Sequence, residues 1–464
     1  MRASYTADVI NLNQTYTSAA ILARENHREL PGRTVVEVRY IGNKSTHMWH
    51  YQNVNETNIF ENGFLPQFVQ AQKNLTINAA NGVPNNFSNR GFSGEAPIPI
   101  FENSFAASGS QAAVSTSSGF GNSTFITDLQ QGLAGTLANS LASTSSTSPG
   151  YYCRLIGSNF SPCAGAGFTS SSSYPINFWR PNPYASGLQY QDDNGNNNYN
   201  ALQVEARKSL SHGLTVNVNF NWSHALGDLL NASDQTAGYQ WFTQRNGKLN
   251  YGPSPTDRRF NFNSYWTYDL PFGKGKWFNI NNGIVDRVLG GWTLGGIETI
   301  TSGAPSLITS GRGTFNNTFS SGVVYGNGLT PGQLQQDLST IPDMNRVVNG
   351  ALLSNVGSIA QSNGIANPAY YGPNTTPGSF GTLFYLYGRT TYSLSMSLNK
   401  SVRIRERLNV GFRMEALNFL NNPVFSLGST SVTANTFGQI SSTYAASGNG
   451  SYNRVVLLRA YLSW

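Results

Sequence analysis

The amino-acid sequence predicts an all-β fold, an antiparallel transmembrane β-barrel with long loops. Three observations support it. Only 11% of the residues are charged, against roughly 25% in soluble proteins. Several segments alternate apolar and polar residues over roughly the 9–11 positions that a tilted membrane strand needs. Long stretches rich in Ser, Gly and Asn separate these segments. A secreted all-β protein with the same loops is the alternative that composition alone leaves open.

Composition also disfavours other classes of protein. No apolar run approaches the ~18–20 residues of a membrane helix, and the mean hydropathy is −0.31. The net charge is +7, but the basic residues are scattered and form no basic run with interleaved aromatics. We therefore expect no nucleic-acid partner.

The clearest predicted hairpin covers 202–221. One face of its first strand carries Leu202, Val204 and Ala206. The turn SHG at 211–213 follows, and a short Gly-containing turn suits a hairpin. The apolar face returns with Leu214, Val216, Val218 and Phe220.

A second long pair covers 391–417, with a charged turn at 403–407. Further candidate strands lie at 34–41, 258–269 and 292–301. A basic residue facing lipid at mid-bilayer costs roughly 2–4 kcal/mol, so charges in these strands should avoid the apolar face. Most do, namely Glu37, Arg39, Glu205, Arg207, Arg413, Glu415 and Arg459. Lys400 and Arg454 share the apolar parity, at strand ends from which a long side chain reaches the interface.

The last predicted strand runs through 454–464. Its alternating apolar residues end on an aromatic and resemble the C-terminal signal by which the barrel assembly machinery selects its substrates. An ordinary terminal strand of a soluble β domain would show the same alternation. The residues of this predicted assembly signal are Val456, Leu458, Ala460, Leu462 and Trp464.

Two long loops are predicted, at about 80–190 and 310–385. Such lengths are unusual in compact soluble domains and normal on the outer face of a barrel. Within the first loop, 122–144 has helical spacing and predicts a short amphipathic helix packed on the barrel rim. Its apolar positions are Phe125, Leu129, Leu133, Leu137 and Leu141.

The chain has two cysteines, Cys153 and Cys163, in the first long loop. In an oxidising compartment they would close a small local disulfide, which we predict over free thiols. Neither has a His or Cys neighbour at metal-binding spacing.

Catalytic motifs are not recognisable in the sequence. It lacks a nucleophile elbow, a P-loop and a dinucleotide fingerprint in the required context. HMWH at 47–50 lacks the spacing and the Glu of a zinc protease. We therefore expect no catalytic residue, no metal site and no cofactor, and predict that the chain is not an enzyme.

Several segments resemble the Oar-like TonB-dependent outer-membrane receptors. They follow one another in the family's order, and the resemblance covers most of 28–464. These segments are ELPGRTVVEVRYIGNKSTHMWHYQNVNETNIFENGF at 29–64, NYNALQVEARKSLSHGLTVNVNFNWSHALGD at 198–228, DRRFNFNSYWTYDLPFGKGK at 257–276, LGGWTLGGIETITSGAP at 289–305, RTTYSLSMSLNKSVRIRERLNVGFRMEALNFLNNPVF at 389–425 and FGQISST at 437–443.

The resemblance implies a 22-stranded barrel in the outer membrane of a Gram-negative bacterium, plugged by an N-terminal domain and energised through TonB. The sequence shows about eight to twelve strands and no signal peptide, TonB box or plug. We therefore expect residues 1–464 to be the C-terminal part of such a barrel.

The resemblance implies import of a bulky solute, an oligosaccharide or a peptide, by the complete protein. The implied partners are outer-membrane lipid, the barrel assembly machinery, the solute, and the TonB complex through the N-terminal part. Two alternatives stay open. One is a surface or adhesion barrel that transports nothing, and the other is a truncated gene product without function.

Overall fold

A computed structural model describes residues 6–10, 18–30, 33–146, 150–211, 213–228, 241–325, 371–388, 390–405, 408–422, 430–434 and 453–463. Most of the strands join one large sheet of 11 strands. Its members are β1 (Thr6–Ile10), β2 (Ser18–Leu30), β3 (Thr34–Asn53), β4 (Gly187–Ser211), β5 (Leu214–Gly227), β6 (Gly252–Pro253), β7 (Phe260–Asp269), β8 (Trp292–Thr301), β13 (Thr391–Arg405), β14 (Leu408–Leu417) and β15 (Val455–Ser463).

The sheet runs in the order β15-β14-β13-β8-β7-β5-β4-β3-β2, with every neighbouring pair antiparallel. Two short strands lie off this path: β6 pairs with β5, and β1 pairs in parallel with the start of β4. Both long predicted hairpins are confirmed. Val218 lies opposite Ala206, and Ala416 opposite Met396. Within the described residues, β2 and β15 are the edges of the path.

The connections differ at the two ends of the sheet. At one end, here the turn end, β2–β3, β4–β5 and β13–β14 are joined by a few residues each, and β7 and β8 by the longer connection 270–291. At the other, here the loop end, β3 and β4 are separated by 54–186, and β8 and β13 by 302–390. The second long connection contains two small sheets, which pair β9 (Pro305–Ile308) with β12 (Phe384–Tyr387) and β10 (Val323–Tyr325) with β11 (Tyr371–Pro373). Residues 326–370 of the predicted second loop lie outside the described residues.

The sheet has one apolar face and one polar face, as period-two alternation requires. Side chains on the apolar face stay exposed: Leu458 is 68% exposed and Trp222 is 57% exposed. Glu298 of β8 shares the apolar parity with Leu294 and Ile300. It lies three positions from the loop end and accepts a hydrogen bond from Ser264 Oγ at 3.3 Å.

The insert at 54–186 is helical and has its own core. It contains α1 (Phe64–Ala80), α2 (Pro99–Phe105), α3 (Ser123–Gln131), α4 (Ala134–Leu141), α5 (Tyr151–Ile156) and α6 (Ser161–Gly165). The main buried hydrophobic cluster of the described chain lies wholly between Ile59 and Trp179. The predicted long loop at 80–190 thus contains helices α2–α6.

The predicted helix at 122–144 is divided into α3 and α4. Asn122 caps α3 by accepting hydrogen bonds from the backbone N–H of Thr124 and Phe125. Gly132 ends α3 with a left-handed φ of 74°, a conformation that favours glycine. The predicted apolar stripe is nevertheless buried at Phe125, Leu129, Leu137 and Leu141.

The structure joins Cys153 of α5 to Cys163 of α6 by a disulfide, with 5.2 Å between the Cα atoms. Both cysteines are completely buried in the core of the insert. Of the predicted assembly-signal residues, Val456, Leu458, Ala460 and Leu462 lie at alternate positions of β15. Trp464 lies outside the described residues.

Candidate solute-facing surface

The polar face of the sheet carries an ion cluster formed by Glu37, Arg39, Glu205 and Arg207. These residues lie on β3 and β4, where Glu37 is directly opposite Glu205. Glu37 Oε1 lies 2.5 Å from the Arg39 guanidinium, and Glu37 Oε2 lies 3.4 Å from Arg207 Nη2. Arg207 Nε lies 3.2 Å from Glu205 Oε1. Two carboxylates and two guanidiniums therefore neutralise one another, and the cluster has no net charge.

Beside the ion cluster lies a row of asparagines on β5 and β7. Asn217 Nδ2 donates to Glu205 Oε1 at 3.1 Å, and Asn219 Nδ2 donates to Asn217 Oδ1 at 2.7 Å. Asn263 lies opposite Asn219, and Asn261 opposite Asn221. Residues i and i+2 of a strand lie on the same face of a sheet. The whole row therefore faces the same side as the ion cluster.

Arg39 and Glu205 of the ion cluster and four asparagines of the row line a groove of about 270 Å³. An amide offers two donors and one acceptor oxygen, so the groove can pair with hydroxyl or peptide groups but carries little net charge. The lining residues are Arg39, Gln203, Val204, Glu205, Asn219, Phe220, Asn221, Asn261 and Asn263.

The polar face continues across β8 and β13 with smaller side chains. Thr299 lies between Asn263 on one side and Ser393 on the other. Thr299 Oγ1 donates to Asn263 Oδ1 at 3.1 Å. Ser395 and Ser397 follow along β13 on the same face, so hydroxyl groups extend the surface of amides.

At the loop end, buried Glu56 connects three separate loops. Asn316 Nδ2 donates to Glu56 Oε1 at 2.6 Å, and Thr243 Oγ1 donates to Glu56 Oε2 at 2.9 Å. Burial raises the pKa of Glu56, and the hydrogen bonds from Thr243 and Asn316 partly offset that rise. The helical insert and both loops are thereby packed as one cap.

A second buried carboxylate, Asp257, ties the cap to β5. Its Oδ1 accepts a hydrogen bond from Ala225 N at 2.7 Å, and its Oδ2 accepts one from Tyr387 OH at 2.7 Å. His224 Nδ1 lies 3.0 Å from the same Oδ2. Burial, with the Asp257 carboxylate as second cause, raises the pKa of Tyr387. The hydrogen bond from Tyr387 therefore anchors β12 to Asp257, and the contacts of Asp257 with Ala225 and His224 hold both to β5.

Sequence reasoning placed charges on the polar face but missed both carboxylate centres. Their partners come from loops that are far apart in the chain, such as Glu56, Thr243 and Asn316. No local spacing could have signalled them.

Cys153 and Cys163 lie in the core of the insert and not on the polar face. In the described ranges, no group of three or more His, Cys, Asp or Glu residues could hold a metal ion.

Residues 4–456 match a protein family described as the outer membrane beta barrel domain. The chain belongs to this family. It is therefore a protein of the outer membrane of Gram-negative bacteria. In such barrels the short turns face the periplasm and the longer loops face the exterior, so the turn end is periplasmic and the cap is extracellular. The polar face is the lumen face, and the apolar face contacts lipid.

The chain is also similar to solved outer-membrane proteins, although no curated protein sequence matches it. The outer membrane transporter YddB from Escherichia coli has 8% identity and a TM-score of 0.38, covering 100% of this chain and 34% of that one. The FpvA receptor of Pseudomonas aeruginosa with heterologous pyoverdines has 8% identity and a TM-score of 0.31, covering 97% and 27%. The same receptor bound to pyoverdine has 8% identity and a TM-score of 0.29, covering 96% and 30%.

The chain thus spans about a third of the length of these structures. Within its described residues, no helix combines the length and apolar character needed to cross a membrane.

Proposed function

We propose that the chain forms part of the barrel wall and the extracellular cap of an Oar-like TonB-dependent transporter. The transported solute is bulky and uncharged, an oligosaccharide or a peptide. The observation that carries this proposal is the amide-lined groove on the lumen face, next to an ion cluster that neutralises itself.

The chemistry of the groove favours a neutral, multiply hydrogen-bonding solute. Amides such as Asn219 and Asn263 can donate to and accept from hydroxyl or peptide groups. A charged solute would need an uncompensated opposite charge, whereas Arg39 and Arg207 are already paired with Glu37 and Glu205. Several weak hydrogen bonds along a wall also suit transport, since the solute must bind and then leave.

Transport by a TonB-dependent mechanism is supported by the resemblance of the sequence motifs and by their order, from ELPGRTVVEVRY at 29–40 to RTTYSLSMSLNK at 389–400. The working barrel also requires that the backbone groups along the outer sides of β2 and β15 be paired, because lipid does not tolerate an open sheet edge. We propose that further strands of the complete protein supply this pairing, that β15 presents the signal for the assembly machinery, and that the chain catalyses no reaction.

The test is solute uptake by cells that carry the complete protein. Asn219→Leu should reduce uptake of a labelled neutral oligosaccharide or peptide about tenfold, since one or two hydrogen bonds to the solute contribute about 0.5–1.5 kcal/mol each. Val218→Leu, on the lipid-facing side of the same strand, is the matched control and should leave uptake unchanged.

Deleting TonB should abolish the same uptake. Uptake that needs TonB but ignores Asn219→Leu would contradict the role of the groove. Binding of the solute to cells without any TonB-dependent uptake would instead favour an adhesive surface barrel. That second function is favoured by the compact helical insert, whose core and disulfide make it a rigid extracellular surface.

A further inference from the structure

The periplasmic connection between β7 and β8 carries an exposed apolar surface. Its helix α7 (Gly283–Leu289) begins at Asn282, which accepts hydrogen bonds from the backbone N–H of Ile284 and Val285. Four apolar side chains share one face of this helix, and all are solvent-exposed: Ile284 77%, Val285 40%, Val288 60% and Leu289 54%. An exposed apolar cluster of this kind marks an interaction surface.

The opposite face of α7 is used to hold the neighbouring turn. Asp286 Oδ1 accepts a hydrogen bond from Lys274 N at 2.8 Å. In that turn the rings of Phe272 and Phe278 stack with 5.1 Å between centroids, and Trp277 is 88% exposed. The polar side of α7 therefore contacts the neighbouring turn, whereas no described residue covers its apolar side or Trp277.

The apolar side of α7 is continuous with the lipid-facing surface of the sheet. Trp292 and Lys400 lie opposite each other at the turn end of that surface. Trp292 Nε1 donates to Val288 O at 3.0 Å, and Lys400 Nζ donates to the same oxygen at 2.8 Å. Lys400 Nζ also lies 4.9 Å from the centre of the Trp292 ring. These contacts fix the end of α7 at the membrane side of the wall.

The same connection carries three basic side chains. Lys274, Lys276 and Arg287 are all exposed, and among the described residues of the connection only Asp286 opposes them, with its carboxylate turned to the Lys274 backbone. Lys276 also lies 3.8 Å from Asp269 at the end of β7. An amphipathic helix with cations beside its apolar face binds the headgroup layer of anionic lipids.

We propose that Trp277, Ile284, Val285, Val288 and Leu289 insert into the periplasmic phospholipid leaflet, with Lys274, Lys276 and Arg287 against lipid phosphates. The β7–β8 connection is thus a membrane anchor that fixes the depth of this part of the wall. The proposal concerns a surface that the transport function does not use. It depends on the outer-membrane location of the chain and not on the proposed transport.

The experiment measures what surrounds a nitroxide label in the complete protein, reconstituted in nanodiscs of phosphatidylethanolamine and phosphatidylglycerol. Within residues 1–464 the two cysteines are bonded to each other, and any free cysteine elsewhere in the complete protein is replaced by serine before a single cysteine is introduced and labelled. Val288→Cys reports on the proposed anchor. Val69→Cys is the matched control, because Val69 is a valine of similar exposure, 50%, on the extracellular helix α1.

The label at 288 should collide several-fold more with oxygen, which concentrates in lipid, than with a water-soluble nickel chelate. The label at 69 should show the reverse preference. A label at 288 as accessible to the chelate as the label at 69 would overturn the proposal. So would a label at 288 that neither reagent reaches, because another protein segment would then cover the surface.

A second arm tests the lipid charge. Replacing phosphatidylglycerol by phosphatidylcholine should raise chelate access at 288. The Lys274→Gln/Lys276→Gln variant should show the same rise even in anionic nanodiscs. Identical access in both lipids would overturn the assignment of phosphate contacts to these lysines.

Discussion

The sheet and the helical insert place their apolar residues in opposite ways. In the insert, Phe64, Phe68 and Phe101 are completely buried. In the sheet, Leu458 and Leu462 are 68% and 61% exposed along the side that meets lipid. The two regions belong to the same chain, but the insert buries its apolar residues away from water, whereas the sheet presents them to lipid.

This difference separates two sources of stability. The insert gains its free energy by removing aromatic rings from water, as a soluble domain does. The sheet is fixed by backbone pairing and by keeping charges such as Glu205 and Arg413 off the lipid side. A substitution that opens a cavity in the aromatic core should therefore destabilise the insert and leave the sheet almost unchanged. A substitution that places a charge on the lipid side should do the reverse.

The largest effect is expected from Phe101→Ala in the insert. Phe101 is fully buried, and its ring centroid lies 5.5 Å from those of both Phe64 and Phe87. The resulting cavity should destabilise the insert by about 3–5 kcal/mol. Thermal unfolding followed by the helical circular dichroism signal would measure this, while the heat-modifiable mobility of the folded barrel should not change. Val69→Ala, at an exposed position of α1, should change the insert by less than about 0.5 kcal/mol. Equal losses for both variants would mean that the insert has no independent core.

The next effect is expected from Val218→Arg on the lipid-facing side of β5. A guanidinium near mid-bilayer should cost about 2–4 kcal/mol. Asn263→Arg is the matched control, because Asn263 pairs with Asn219 at the same depth but points into the lumen. The folded fraction in phospholipid vesicles should fall for the first variant and stay near that of the unaltered protein for the second. If the two variants behaved alike, the assignment of the two faces would be wrong.

The sequence predicted the sheet better than the insert for a physical reason. A membrane strand such as 214–220 must alternate at every position, so its pattern is long and local. The same pattern restricts the register that the structure shows, since a slip of one residue would turn every polar side chain into lipid. The strands at 34–41 and 292–301 were found in this way, although Glu298 shows that a charge near the rim can share the apolar parity.

The insert was harder to predict because its helices are short. A helix such as α5 or α6 gives only one or two turns of periodicity among Ser and Gly residues. The stripe at 122–144 was visible, but its division at Gly132 depends on tertiary packing. A Cβ atom at Gly132 would lie 1.9 Å from Thr375 O, a contact between positions far apart in the chain. The carboxylate centres at Glu56 and Asp257 depend on the same kind of distant pairing.

The smallest effect concerns Asp128, a charged residue on the buried side of α3. Asp128 is 4% exposed, and its Oδ2 has no hydrogen-bond partner in the described part of the chain. Burial raises the pKa of Asp128 from 3.8 to about 7. The folded insert therefore binds more protons than the unfolded chain between these two values, and its stability should fall as the pH rises from 3.8 to about 7.

Asp128→Asn removes the charge and keeps the shape, so the variant should lose this pH dependence. Above neutral pH it should be more stable than the unaltered protein by about 1–2 kcal/mol, because the neutral amide avoids the cost of ionising a buried carboxyl. Urea unfolding of the helical signal on both sides of the transition would measure the gain. Glu61→Gln is the control, because Glu61 is an exposed carboxylate paired with Arg245, and it should not gain stability as the pH rises. A pH-independent difference between Asp128→Asn and the unaltered protein would show that ionisation of this carboxyl does not limit the stability of the insert.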